Sequence, residues 1–403
     1  MQKLGASIRM WHWAKTKPSK IPVTLLSPAL PLAAALLLSA ALPAAAQEAR
    51  EFQTQTGTVL VETLAHGLQH PWAVEVLPDG ALIVTERPGR LRILRNGELS
   101  PAVEGVPDVA ERGQGGLLDV ALDPQFSRNR TLYLTFATRG DGGYGTAVAR
   151  ATLADDERRV TDVKEIFRMN RFTRAGQHFG SRIAIDRDGS LFFGIGDRGD
   201  GERAQDPRDH AGAILHINAD GSIPSSNPYR GGTEGLPEIW SKGHRNPQGL
   251  TFDKADGKLL TVEHGARGGD EVNNPQPGKN YGWPVITFGK DYSGAEIGEG
   301  TAKEGMEQPL YYWDPSIAPG ALAVYRGNMF PEWNGDLLVA ALKYQLLARL
   351  QRDDTGAITA EERLFDGEFG RIRDVIVAPD GALLMVTDEQ DGAVLRVSKA
   401  PTE

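Results

Sequence analysis

The chain has 403 residues, with 44 lysines and arginines against 53 aspartates and glutamates, a formal charge of −9. That balance argues against nucleic acid as a partner, since duplex binding needs a basic face to neutralise phosphates. Cysteine is absent, which excludes disulfides, zinc–thiolate and iron–sulfur centres and thiol nucleophiles, and 47 glycines with 25 prolines forecast a turn-rich globular chain without long helices.

The first 46 residues stand apart. Their only charges are Lys3, Arg9, Lys15, Lys17 and Lys20, an uncharged Ala/Leu run extends from Leu32 to Leu42, and Ala44, Ala45 and Ala46 precede Gln47. This is the pattern of a secretory leader. An anchoring helix is the alternative, but the run falls short of the roughly 20 residues a span needs, so no stable membrane insertion is expected. The leader has no twin-arginine pair, which favours export unfolded and loading of any cofactor outside the cytoplasm. The expected division is a signal peptide over 1–46 and one exported domain over 47–403, periplasmic in a Gram-negative host.

Six copies of one pattern follow: a short apolar strand, a turn rich in Asp, Asn and Gly, and a second apolar strand. In chain order they begin at Trp72, Leu118, Arg182, Gly249, Ala321 and Asp374, and end at Glu86, Phe136, Asp197, Glu263, Ala340 and Asp388. Turns such as Asp79-Gly80, Asp188-Gly189, Asn334-Gly335 and Asp380-Gly381 are strong hairpin signals, because the tight turn needs positive φ. About 60 residues per copy suffice for a four-stranded blade and a loop. The expected fold is therefore all-β, a six-bladed β-propeller. A β-sandwich is the alternative; the number of hairpins and the Gly/Pro-rich insertions at 198–240, 264–318 and 351–370 speak against it. Those insertions should form functional loops at the propeller faces.

In a propeller the inner strands converge on a central channel, so residues far apart in sequence meet over one small ligand. Gln114, His178, Asp197, Arg245, Asn246, Gln248, His264, Lys343, Arg371 and Arg373 lie in or beside loops at the strand ends. They offer a candidate base and four fixed cations, and such cations in an acidic protein point to an anionic ligand. Arg371 and Arg373, two apart on an extended segment, should face the same side. Gly194-Ile-Gly-Asp-Arg-Gly199 matches G-x-G-x-x-G, but Asp200-Gly201 and Pro207 follow and no helix can be read there, so no nucleotide site is expected. Gly268-Gly-Asp-Glu-Val-Asn-Asn274 offers oxygen ligands suited to calcium.

Three strings, Lys242-Gly-His-Arg-Asn-Pro-Gln-Gly249, Glu263-His-Gly-Ala-Arg-Gly-Gly-Asp-Glu271 and Lys279-Asn-Tyr-Gly-Trp-Pro284, resemble the soluble PQQ-dependent sugar dehydrogenases. Within that group the likeness is to the aldose sugar dehydrogenases of the glucose/sorbosone dehydrogenase family. Gly113-Gln-Gly-Gly-Leu-Leu118, His178-Phe-Gly-Ser-Arg182 and Arg371-Ile-Arg-Asp-Val-Ile376 support it, in the family's order. The resemblance implies a six-bladed propeller, in agreement with the hairpin count. It also implies pyrroloquinoline quinone (PQQ) and calcium as cofactors, oxidation of an aldose at its anomeric carbon to a lactone, and an external electron acceptor. A monomer is expected.

Carried over residue by residue, the resemblance makes His178 the base for the anomeric hydroxyl, Asp197 its orienting partner, and Arg245 the charge beside the quinone oxygen that turns negative. Lys343, Arg371 and Arg373 would hold the cofactor's carboxylates, with polar contacts from Gln114, Asn246 and Gln248. The carbonyls of Gly265 and Ala266 would bind calcium at the quinone; the Glu271 carboxylate and Tyr281 carbonyl would bind a second, structural calcium. His264-Gly265-Ala266 replaces the Gln-Gly-Pro of the best-known glucose dehydrogenase pattern, leaving His264 without a role. Stretches after Trp283 and at 351–370 look short, which implies an open site with loose sugar specificity. Two other readings compete: a non-catalytic binding or scaffold propeller, and a metal-dependent lactonase or esterase, which needs a carboxylate/Asn calcium site in the channel.

Overall fold

The computed structural model describes residues 49–401, so the segment read as a leader lies outside the described residues. All six expected hairpins are present, each as the inner pair of a blade. The inner strands are Pro71–Val76, Leu117–Leu122, Ile183–Ile185, Pro247–Phe252, Pro319–Val324 and Ile372–Val377, numbered here as blades 1 to 6. Neighbouring inner strands touch all the way round, and that of blade 6 meets that of blade 1, which closes the six-bladed β-propeller. Each interface between blades has its own apolar cluster. The smallest, between blades 3 and 4, is built on Ala184, Phe192, Ile214, Leu250 and Leu259.

Blade 6 is completed by the other end of the chain: Ile372–Val377, Leu383–Thr387 and Gly392–Lys399 take Gly57–Leu68 as a fourth strand and Ala49–Thr54 as a fifth. Hairpin signals could not reveal this pairing, because its two strands share no turn. The insertions also differ from expectation. The 198–240 stretch contains Ala213–Ile217, 264–318 contains Asp270–Asn273 and Tyr311–Trp313, and 351–370 contains the outer strand Ile358–Leu364 of blade 5. Its charges disguised it: Glu362 is buried against Arg349, with Nε 2.8 Å from Oε2.

At 77–81, 186–190 and 378–382 the turn is longer than two residues. Only its glycine has positive φ, 89° at Gly80, 86° at Gly189 and 90° at Gly381, while the preceding aspartate accepts the N–H two residues on. Glycine supplies that conformation without strain.

Five of the six inner hairpins slip register near their start, between Pro71 and Ala73, Leu117 and Val120, Pro247 and Gly249, Pro319 and Ala321, and Ile372 and Asp374. A bulge breaks the alternation and re-aims its extra residue. Trp72, Gln248, Gly320 and Arg373 occupy four of these positions, and the bulges bring them round the axis: the Arg182 guanidinium of blade 3 lies 4.2 Å from the Trp72 ring and donates to the Gln248 and Gly320 carbonyls.

Candidate active site

One face of the propeller carries the starts of the inner strands and the ends of the second strands. Asp197, His264, Lys343 and Asp388 follow their second strands there within two residues. His178 Nδ1 lies 2.5 Å from Asp197 Oδ1. Asp197 also accepts the Gly199 N–H at 2.7 Å and, on its other oxygen, the Trp283 Nε1–H at 2.8 Å. Burial alone would raise the Asp197 pKa, but the His178 bond and charge, the Gly199 bond and the Arg245 charge hold the carboxyl below its ordinary value. An ionised carboxylate only accepts. Nδ1 therefore carries the imidazole proton, and Nε2, which bonds nothing among the described residues, keeps its lone pair.

Burial lowers the His178 pKa, the Asp197 bond opposes that, and the charges of Arg245 and Arg198 leave the net direction downward. The ring is neutral near pH 7. Its backbone is left-handed, φ 57°, and its N–H is held by Gln114 Oε1 at 2.8 Å, so a conformation that is costly for a residue with a Cβ aims the imidazole. Gln114 thus holds the His178 backbone directly. By contrast, His210, His216 and His244 have both ring nitrogens engaged, by Asn170 and Glu238, by Asn227 and Ser190, and by Ser241 and Glu263.

A polar chain crosses the blades beside this pair. Asn246 Oδ1 accepts from the Gly180 N–H and from Gln248 Nε2, Gln248 Oε1 accepts from Arg373 Nη1 at 2.9 Å, and Arg373 Nη2 donates to Asp388 Oδ2 at 2.7 Å. His70 Nδ1 lies 2.8 Å from the other Asp388 oxygen. Burial pushes the Asp388 carboxyl up, but Arg373 chiefly, with Arg87 and His70, holds it far below the usual range. Five donors on this face are buried without an acceptor among the described residues: Arg87 Nε, Arg198 Nε, Arg245 Nε, Asn246 Nδ2 and Arg373 Nε. Each such group costs about 1–3 kcal/mol, and together they fit a ligand rich in anionic acceptors.

Arg245 stacks 5.2 Å from the Trp283 ring, and its Nη1 donates to the carbonyl of Gly265. His264 bonds the Pro319 carbonyl through Nε2 at 2.7 Å, and its pKa is pushed down to about 3 by burial and by Arg245. It is a neutral strut between blades 4 and 5. Arg371 and Arg373 do not form a matched pair, because the bulge falls at Arg373. Arg371 Nη1 instead bonds the Leu342 carbonyl at 3.3 Å, beside Lys343, which is exposed with its ammonium 5.3 Å from the Tyr344 ring. These two form a rim, and Arg373 lies deeper.

The oxygen donors read as metal ligands divide. The Gly265 carbonyl is shared with Arg245, and the Gly265 N–H is pinned by Asp270 Oδ1 at 2.8 Å, which presents the Gly265–Ala266 turn at the site. Burial and the charges of Glu263 and Asp270 raise the Glu271 pKa to about 8. Asn273 Nδ2 donates to both Glu263 and Glu271 at 3.0 Å, and its Oδ1 is buried without a donor. A carboxylate and an orphaned amide oxygen side by side fit a hard cation. Tyr281 packs on His244 at 4.7 Å between ring centroids.

Sequence reasoning missed Trp283, Asp388, His70 and Arg87. Trp283 stood in the quoted Lys279–Pro284 string; Asp388 and Arg87 end or directly follow second strands, the same position that singled out Asp197. The Gly194–Gly199 string leads only to a single turn, Gly201–Gln205, and serves Asp197.

The profile of the family described as Glucose / Sorbosone dehydrogenase matches residues 68–396. The aldose sugar dehydrogenase YliI of Escherichia coli strain K12 is 42 % identical over 348 residues, spanning 85 % of this chain and 93 % of that protein. The solved apo-form of the E. coli soluble aldose sugar dehydrogenase matches with a TM-score of 0.82 at 41 % identity, over 85 % and 100 % of the two chains. A PQQ-bound aldose sugar dehydrogenase from Streptomyces coelicolor matches with a TM-score of 0.71 at 28 % identity, over 88 % and 99 %. With the family profile covering most of the chain and the six-bladed propeller in agreement, the chain belongs to the glucose/sorbosone dehydrogenase family.

Proposed function

We propose that this chain oxidises aldoses at the anomeric carbon to lactones, using PQQ and calcium, and delivers the electrons to an external acceptor after export through its 1–46 leader. The observation that carries the reading is a neutral imidazole with a free Nε2 set beside three of the buried donors that lack acceptors, from Arg245, Asn246 and Arg373. The PQQ-bound S. coelicolor relative supports it.

When bound, PQQ supplies the two-electron acceptor for hydride from the anomeric carbon. His178 Nε2 takes the anomeric hydroxyl proton, and Asp197, ionised and fixed by three donors, stabilises the resulting imidazolium. Arg245 presents charge where negative charge develops. Arg373, aimed by Asp388 and Gln248, would hold one cofactor carboxylate, with Arg371 and Lys343 at the rim for another. Asn246 and Gln248 would add polar contacts, and Gln114 steadies the base. The Gly265 and Ala266 carbonyls would hold one calcium and Glu271 with the Tyr281 carbonyl a second, whose charges favour the reduced, more anionic cofactor.

Addition of PQQ with calcium to the apo-protein should restore dye reduction by aldoses. A flat response across a panel of aldoses would sink the reading in favour of a binding propeller without catalysis.

A further inference from the structure

We infer that Trp283 is a positioning residue for the base: its indole N–H locks the Asp197 carboxylate and, through it, the plane of the His178 imidazole. The inference rests on the role proposed for His178. Trp283 belongs to the long insertion of blade 4, whereas His178 and Asp197 belong to blade 3. It reaches across to donate from Nε1 to Asp197 Oδ2 at 2.8 Å, the oxygen that His178 does not use. Its backbone is pinned on both sides, the N–H to the Gly243 carbonyl at 2.9 Å and the carbonyl by Gln205 Nε2 at 2.6 Å. A Cβ on Gly201 would sit 3.2 Å from the indole Nε1 and 3.1 Å from Pro284, so the neighbouring chain is bare where the indole passes.

The physical case lies in the carboxylate torsion. The terminal χ2 of an aspartate has a broad well, so bonds to one oxygen alone leave the group free to rock about that oxygen. A donor on the second oxygen fixes its plane. The indole N–H also draws charge from the carboxylate and so weakens its hold on the imidazole proton. The charged and titratable groups facing His178 are Asp197 and Arg198 on blade 3 and Arg245 and His264 on blade 4. Trp283 touches two of them, Asp197 and Arg245, without adding charge.

Trp283→Phe keeps the ring and removes the donor. Expected are unchanged PQQ affinity, a kcat lowered about tenfold with the aldose KM held, and an acid limb of kcat/KM moved upward by about half a pH unit or more. NMR titration of the His178 imidazole in apo-protein should move the same way. An unmoved His178 titration would overturn the inference, whatever happens to kcat, and would leave Trp283 a packing residue. Should Trp283→Phe fail to fold, Gly201→Ala displaces the indole from outside and should move the titration in the same direction by less; no movement would again overturn it. Because the titration is read without cofactor or sugar, failure of wild-type protein to reduce dye would strike the proposed function and not this inference.

Discussion

Arg182 and Arg373 are equally buried, 8 % and 7 % exposed, and both lie against Trp72, yet they are opposites. Arg182 touches all five other blades: the Trp72 ring, the Asp119 and Asp374 carboxylates at 2.9 and 3.1 Å, and the Gln248 and Gly320 carbonyls. Its Nε, Nη1 and Nη2 are all engaged. Arg373, like Arg245, leaves Nε buried and unpartnered. A satisfied buried charge belongs to the fold, and unsatisfied donors gathered on one face belong to a ligand. The channel therefore holds buried carboxylates as well as the cations picked out in the sequence. Its far mouth, a cavity of about 490 Å³, is lined by Glu75, Asp119 and Asp374 around Arg182.

Substitutions at the two ends should separate along that line. Arg182→Met strands two buried carboxylates and should cost about 3–5 kcal/mol in urea unfolding, with PQQ affinity of the folded fraction unchanged. His178→Gln should lower turnover roughly 10²-fold with PQQ affinity intact; unchanged turnover would remove His178 from its role. Arg373→Met should weaken PQQ binding about 10- to 100-fold, the worth of one charge-assisted contact, and cost less stability than Arg182→Met, because it strands one carboxylate, Asp388, which keeps His70, where Arg182→Met strands two. If it destabilised the fold as Arg182→Met does, the distinction between the two ends would fail.

The ends should also answer pH with opposite sign. Burial first, and then Asp119 and Asp374, raise Glu75 from 4.5 to about 8. The folded state holds a proton there that the unfolded chain has lost, so this stabilisation fades as pH rises through that window. His264, lowered from 6.5 to about 3, acts the other way: the unfolded chain takes the proton first, and stability falls as pH drops below 6.5. Melting temperature against pH should flatten on the alkaline side in Glu75→Gln and on the acid side in His264→Gln.

The inner hairpins were legible because their strands carry an apolar pattern, as at Ala382–Asp388, and five of the six have a turn glycine, the blade 2 hairpin turning through Phe126–Asn129 instead. The Gly57–Leu68 closure was not, since only the finished ring brings it to Gly392–Lys399. In the site, His178, Asp197 and Arg245 could be placed by position and by resemblance. The separate settings of Arg371 and Arg373 could not, because a one-residue bulge changes direction without changing composition. Glu75, Asp119 and Asp374 read as ordinary alternating polar positions; only convergence of the inner strands makes them a cluster.

The most direct measurement is an equilibrium titration of apo-protein with PQQ in the presence of calcium, followed at each point by aldose-dependent dye reduction. Binding of one PQQ per chain with activity rising in proportion, and binding without activity in His178→Gln, is the expected result. No saturable binding, or full occupancy of wild-type protein with no aldose oxidation, would contradict the assignment of the unsatisfied donors to a quinone beside a base.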